Sequence, residues 1–217
     1  MLDSRFKLKI DDPALKIAIF NEADFNAESL ASCIGSISIE KPPLDTDKII
    51  CFNEFCGMEK WGRIIFTKDN CFVKAEYTCR LADRLAPFDW LGFKKSQKNL
   101  LEVEELRKAG KINAPRLLGA FCVKQENGWL WSGFITELLK GYRELSEKNP
   151  HDIKIQMKAI DSLAEIGLVN LDMCLWNIMV NDSTGDWKIV DWEFLEHLDG
   201  TKEELRRKML EVPGVLL

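Results

Sequence analysis

Residues 167 to 194 constrain this chain more than any other stretch, because two short apolar runs there are separated by turn formers and punctuated by three polar residues at set spacing. Asp172 is followed five positions on by Asn177, and Asp191 lies fourteen beyond that. The run Ile178–Val180, the turn formers Asn181-Asp182-Ser183-Thr184-Gly185-Asp186 and the run 187–190, broken by Lys188, predict a hairpin-like connection that brings Asp191 out at the end of its second strand. Upstream, apolar residues at 153, 157, 160, 163 and 166 predict a helix over 150–169 whose buried face delivers the chain to this segment.

Phosphoryl transfer from ATP asks for such a set. The acceptor hydroxyl must be held by a carboxylate, and the Mg²⁺ ions that shield the β- and γ-phosphates need hard oxygen ligands. Asp172 is read as the base or orienting carboxylate. Asn177 is read as a metal ligand that adds no negative charge, and Asp191 as the second metal ligand. Singly, each has a plainer explanation, since Asp and Asn are turn formers first. The joint pattern carries the reading.

The stretch Asn-Leu-Asp-Met-Cys-Leu-Trp-Asn, 170–177, resembles the catalytic loop His-x-Asp-x-x-x-x-Asn of the protein-kinase-like fold, and Ile-Val-Asp-Trp-Glu, 189–193, resembles its Asp-Phe-Gly position. The resemblance covers roughly residues 57 to 195. It is strongest to the lipopolysaccharide kinases of the Kdo/WaaP and heptose type, and more distant to the Bud32-like and aminoglycoside-phosphotransferase-like kinases. It implies a lysine on an N-lobe strand paired with a glutamate on the following helix. The hairpin predicted from 64–66, a turn at Asp69-Asn70 and 71–74 ends in Lys74. The stretch 95–110, with Leu or Val at 100, 103 and 106 and a capping Gly110, reads as the helix. Glu102 is the best match for its acid, and Glu105 is the alternative.

The resemblance further implies a phosphate-covering loop between Gly57 and Gly62, although Gly-Met-Glu-Lys-Trp-Gly lacks the Gly-x-Gly-x-x-Gly pattern. Adenine would be read by the backbone of Glu137, Leu138 and Leu139, where the strand over 128–139 meets the hinge. Where the family has its loop histidine this chain has Asn170. That substitution and the missing glycine pattern keep open a nucleotide-binding pseudokinase or a plain interaction domain.

The 217 residues, 46% of them hydrophobic, suffice for one domain with two lobes or for two small domains, with a real core. A net charge of −5 argues against nucleic-acid binding, which needs clustered excess cations. The basic clusters Lys94-Lys95 with Lys98, and Arg206-Arg207-Lys208, read as solvated helix faces. No apolar stretch reaches the ~20 residues that cross a bilayer, and the N-terminus has no signal-peptide core, so a cytoplasmic location is expected. Seven cysteines without a Cys-x-x-Cys pair point to reduced thiols rather than zinc. Trp176 and Trp192, beside two proposed ligands, are expected to pack the loop in place.

The sequence therefore predicts an α+β, two-lobed protein-kinase-like fold with a minimal, truncated helical C-lobe. Residues 1–50 form an N-terminal segment of unread role, 51–139 the N-lobe and 140–217 the C-lobe, which ends after Asp191 in a short acidic and basic tail. The expected activity is ATP- and Mg²⁺-dependent transfer of the γ-phosphoryl group to a hydroxyl of a sugar or of a protein.

Overall fold

The computed structural model describes residues 5–11, 15–20, 26–35, 48–52, 55–60, 63–68, 70–80, 91–124, 129–192, 194–211 and 215. The chain divides into two units, residues 1–94 with 117–138 and residues 95–116 with 139–217. The class is α+β, with all sheet pairings antiparallel among the described residues.

Among the described residues the first unit has eight strands: β1 (Phe6–Asp11), β2 (Leu15–Phe20), β3 (Lys48–Phe52), β4 (Phe55–Lys60), β5 (Arg63–Lys68), β6 (Cys71–Arg80), β7 (Leu117–Lys124) and β8 (Trp129–Glu137). Their order in the sheet is β1-β2-β7-β8-β6-β5-β4-β3. Residues 17–20 of β2 and 117–123 of β7 are buried in unbroken runs rather than in alternation, the pattern of strands covered on both faces. Helix α1 (Ala27–Gly35) starts at Asn26, whose Oδ1 accepts the N–H groups of Glu28 and Ser29, both at 3.0 Å. Its Leu30 packs with Ile17, Val73, Phe121 and Ile135 in the core of this unit. The N-terminal segment thus supplies two strands of the sheet and the helix on it. The hairpin expected around Lys74 is β5–β6, in which Ile65 faces Lys74.

Helix α2 runs Leu91–Lys108, beginning four residues before the expected start, and from Lys95 onward it belongs to the second unit. Its end is set by Gly110, which takes φ +68, a left-handed conformation open to glycine. With that turn Gly110 N–H reaches Arg107 O and Lys111 N–H reaches Leu106 O, the paired bonds of a Schellman cap.

The second unit is centred on helix α3 (Pro150–Glu165). Asn149 caps it by accepting the His151 N–H, and Pro150 fits the first turn, where an N–H has no partner to lose. The buried face is rotated from the one expected: it comprises Asp152, Ile155, Gln156, Ala159, Ile160, Leu163 and Ala164, and Ile153 and Met157 flank it. The apolar stripe misled because two polar residues are buried with partners. Gln156 Nε2 donates to Met173 O at 2.9 Å. Asp152, 0% exposed, accepts from the Arg143 guanidinium, the Ser146 N–H and Asn149 Nδ2.

Short strands complete the unit: β9 (Arg143–Glu144), β10 (Leu168–Asn170), β11 (Ile178–Val180), β12 (Trp187–Ile189) and β13 (Leu195–His197). They form a β12-β11-β9 sheet and a β10-β13 pair. Arg143 ties three of these parts together, because it also makes a bidentate pair, both bonds 2.7 Å, with Asp182 in the turn between β11 and β12. Beyond Asp191 the chain folds into β13 and a helix rather than trailing off as a charged tail. Helix α4 (Lys202–Leu210) opens with a capping box between Thr201 and Glu204 and buries Leu205 and Met209.

Candidate active site

Helix α3 ends at Gly167, φ +77, and β10 carries the chain to Asn170. Asn170 is 0% exposed and makes two bonds that organise everything after it. Its Oδ1 accepts the Asp172 N–H at 3.1 Å, and its Nδ2 donates to the carbonyl oxygen of Asp191 at 2.6 Å. Beside it, Leu171 N–H donates to Phe194 O at 3.1 Å. The loop then turns through Met173 and Cys174 into a 3-10 turn, Leu175–Asn177.

Asn177 is buried and held from two directions. Its Nδ2 donates to Asp172 O at 2.9 Å, and its own carbonyl accepts the Val190 N–H at 3.0 Å. With the amide nitrogen occupied, Oδ1 is left without a bond to any described residue. The hairpin expected from the sequence is formed by β11 and β12, with Ile178 opposite Ile189 and Val180 opposite Trp187, and its turn is knit by Asn181 Oδ1, which accepts from Ser183 and Thr184. Val190 bonds Asn177 at the open end, so Asp191 emerges beside the loop. The structure thereby joins Asp172, Asn177 and Asp191 in one hydrogen-bonded unit.

The residues after Asp191 are anchored. Trp192 is 3% exposed and its Nε1 donates to Ile189 O at 3.0 Å. Asn99 of α2, also buried, donates to Trp192 O at 3.1 Å and to Leu195 O at 3.3 Å. Trp192 therefore packs as expected. Trp176 does not: it is 54% exposed, because the tight 3-10 turn sends one of its three side chains outward while Leu175 and Asn177 turn in.

Cys174 lies under the loop, buried, and its thiol donates to Asp172 Oδ1 at 3.2 Å. Burial, reinforced by that carboxylate, pushes the thiol up to about 12. Cys71, Cys122 and Cys174 are buried and carry reduced thiols.

Lys74, the expected phosphate-binding cation, lies on β6 of the first unit, between Ile65 of β5 and Phe134 of β8. Glu102, on α2 in the second unit, has its carboxylate on His197 Nε2. The deeply buried acid of α2 is Glu104, 1% exposed, in a bidentate pair with Arg107 at 2.8 Å. Sequence reasoning passed over it, although Arg107 three positions on is the signal for such a pair. Gly57 lies within β4 opposite Phe66, and Gly62 lies outside the described residues. Glu137 pairs with Cys71 at the end of β8, Leu138 N–H donates to Asn70 O at 2.8 Å, and Leu139 O accepts the Tyr142 N–H.

The donor set fits Mg²⁺. Among the described residues no group of three or more His, Cys, Asp or Glu is gathered that would make a protein cage. Asp191 carries a carboxylate and Asn177 an amide oxygen, hard donors of the kind that would hold Mg²⁺ where phosphates and water complete its shell.

No protein-family model matches the sequence, and no curated protein does. No helix among the described residues is long and apolar enough to cross a membrane. Among solved structures, the chain is similar to WbdD, a bifunctional kinase-methyltransferase, at 20% identity over 64% of this chain and 31% of that one, with a TM-score of 0.46. It is similar to WaaP in complex with acyl carrier protein, at 16% identity over 76% of this chain and 68% of that one, with a TM-score of 0.39. It is similar also to the Rio2 kinase of Chaetomium thermophilum bound to ADP and Mg²⁺ as a phosphoaspartate complex, at 12% identity, 96% and 64% coverage and a TM-score of 0.46. The chain spans about a third of the length of the WbdD chains it matches.

Proposed function

We propose that the chain is an ATP- and Mg²⁺-dependent phosphotransferase that moves the γ-phosphoryl group to a hydroxyl of a sugar or of a protein. The observation that carries this is the bonding of Asn170 and Asn177, which fixes the backbone of Asp172 and of Asp191 and leaves Asn177 Oδ1 open. The main chain that carries the two acids is thereby tied to one loop beside an open amide oxygen, the kind of preorganisation that phosphoryl transfer needs.

In this reading Asp172 orients the acceptor hydroxyl and takes its proton as the oxygen attacks the γ-phosphorus and the bond to the ADP oxygen breaks. Asp191 and Asn177 hold the metal. Lys74 is assigned to the phosphates, Glu102 to supporting it, Gly57 and Gly62 to covering them, and the backbone of Glu137, Leu138 and Leu139 to the adenine. A cytoplasmic setting is part of the reading.

The test is ADP formation and product mass with ATP and Mg²⁺, using extracted glycans and serine-bearing peptides as acceptors. Asp172→Ala and Asp191→Ala are expected to lower transfer by about 10²-fold or more while the protein stays folded. Unchanged turnover in both variants rejects the proposal. A second reading, nucleotide binding without transfer, is favoured by the engagement of Glu102 with His197. It predicts a thermal shift with ATP and no phosphorylated product.

A further inference from the structure

We propose that Cys174 is a positioning residue, whose thiol holds the Asp172 carboxylate in the orientation from which it meets the acceptor hydroxyl. This rests on the phosphotransferase reading and adds a residue to it.

Asp172 is anchored at three points, and they do different things. Its N–H is bonded to Asn170 Oδ1 and its carbonyl accepts from Asn177 Nδ2, so both asparagines fix main chain. Neither touches the carboxylate. Among the described residues the only group bonded to that carboxylate is the Cys174 thiol, on Oδ1. Rotation of the side chain is therefore restrained by Cys174, and Oδ2 is left for the acceptor.

The position of Cys174 makes the bond deliberate in a structural sense. It stands at the N-cap of the 3-10 turn with φ −66 and ψ 157, where a polar side chain ordinarily reaches forward to a free N–H of the turn. Here no such capping bond forms, and the thiol points back two residues instead. The residue is almost wholly buried, so water does not compete for the donor. Burial also keeps the thiol protonated at any working pH, so it serves as donor throughout and gives up no proton in the reaction. When the acceptor proton passes to Oδ2, the S–H bond to Oδ1 stays in place.

A thiol is a modest donor, and its role is orientation. Replacing it should slow the chemical step and leave nucleotide binding alone. The experiment measures ADP release from ATP and Mg²⁺, with a hexose or a serine-bearing peptide as acceptor, for the full chain and for Cys174→Ala, Cys174→Val and Cys174→Ser.

Cys174→Ala is expected to lower kcat about tenfold with KM for ATP unchanged, and Cys174→Ser, which restores a donor, to return kcat to within about threefold of the parent. Cys174→Val fills the thiol's volume without a donor and should behave as Ala does, which covers the case in which the smaller side chain fails to fold. Parent-level kcat in a folded Ala or Val variant overturns the proposal alone. So does a serine variant as slow as the alanine one. A parent protein that transfers phosphate to neither acceptor nor water, at any ATP concentration, overturns the phosphotransferase reading and this proposal with it.

Discussion

The side-chain amide of Asn170 donates to the backbone carbonyl of Asp191 at 2.6 Å while its oxygen accepts the Asp172 N–H, so one buried side chain sets the distance between two acidic segments. Asn170→Ala leaves a buried donor and a buried acceptor unpaired. It is expected to lower unfolding free energy by about 2–4 kcal/mol, taking 1–3 for each orphaned group with partial relief by water. Urea denaturation followed by circular dichroism measures it, and a loss under about 0.5 kcal/mol would show that the bonds carry no weight.

Asn177 presents an amide oxygen whose nitrogen partner is already engaged by Asp172 O. Asn177→Ala should weaken Mg²⁺ binding, seen as a rise in the Mg²⁺ concentration for half-maximal rate of about tenfold or more. Excess EDTA should abolish transfer in the parent. An unchanged Mg²⁺ curve in the variant removes Asn177 from the metal.

The Arg143 guanidinium beside Asp152 holds that carboxyl below the usual carboxylate range, against the opposing effect of burial. A folded-state value below the unfolded one gives stability that is fully present above about pH 3.9 and is lost as pH falls through the lower, folded value. Stability should therefore drop on acidification from about pH 4. Asp152→Asn should flatten part of that slope and, by weakening the buried acceptor shared by Arg143, the Ser146 N–H and Asn149, reduce stability at pH 7 by about 1–3 kcal/mol, while Arg143 keeps its pair with Asp182. Denaturation curves at several pH values test both.

Trp192 and Trp176 differ sixteen residues apart in a way their shared neighbourhood of ligands hides. Trp192→Ala empties a buried site and is expected to cost about 3–5 kcal/mol. Trp176→Ala should change stability by no more than about 0.5 kcal/mol, since the ring is half in water. Thermal melts of the two variants side by side decide this.

Gly110 at φ +68 has nothing within 4 Å of the point where a Cβ would sit. Gly110→Ala therefore meets no clash, and its expected cost, about 1 kcal/mol, is that of a side chain in left-handed backbone. A neutral result would mean that the α2 cap re-forms with another geometry.

The hairpin of β11 and β12 was legible because turn formers and apolar runs are local signals, and Gly110 was legible as a cap for the same reason. The buried face of α3 was not. Periodicity treats polar residues as exposed, and Asp152 is inside because Arg143 pairs with it, while Gln156 is inside with its amide nitrogen on Met173 O. Asn170 was noticed as a substitution, yet its partners are twenty-one residues apart from it or at its own loop, and only the fold brings Asp191 O within reach. The same holds for Cys174, whose spacing to Asp172 is plain but whose direction depends on the 3-10 turn. The exposure of Trp176 could not be read from a chain where large aromatics are by default core. Glu102 was matched by spacing along a helix, which cannot foresee a histidine arriving from β13.

The half-exposed indole of Trp176 stands in the turn between Asp172 and Asn177, while Trp192 beside Asp191 is sealed away. The protein thus carries its own optical reporter at the loop where chemistry is proposed: the emission of Trp176 is open to quenching by small solutes such as acrylamide, and an acceptor or nucleotide settling over the turn would shield it. Occupancy could be followed without a label, with Trp176→Phe as the blank.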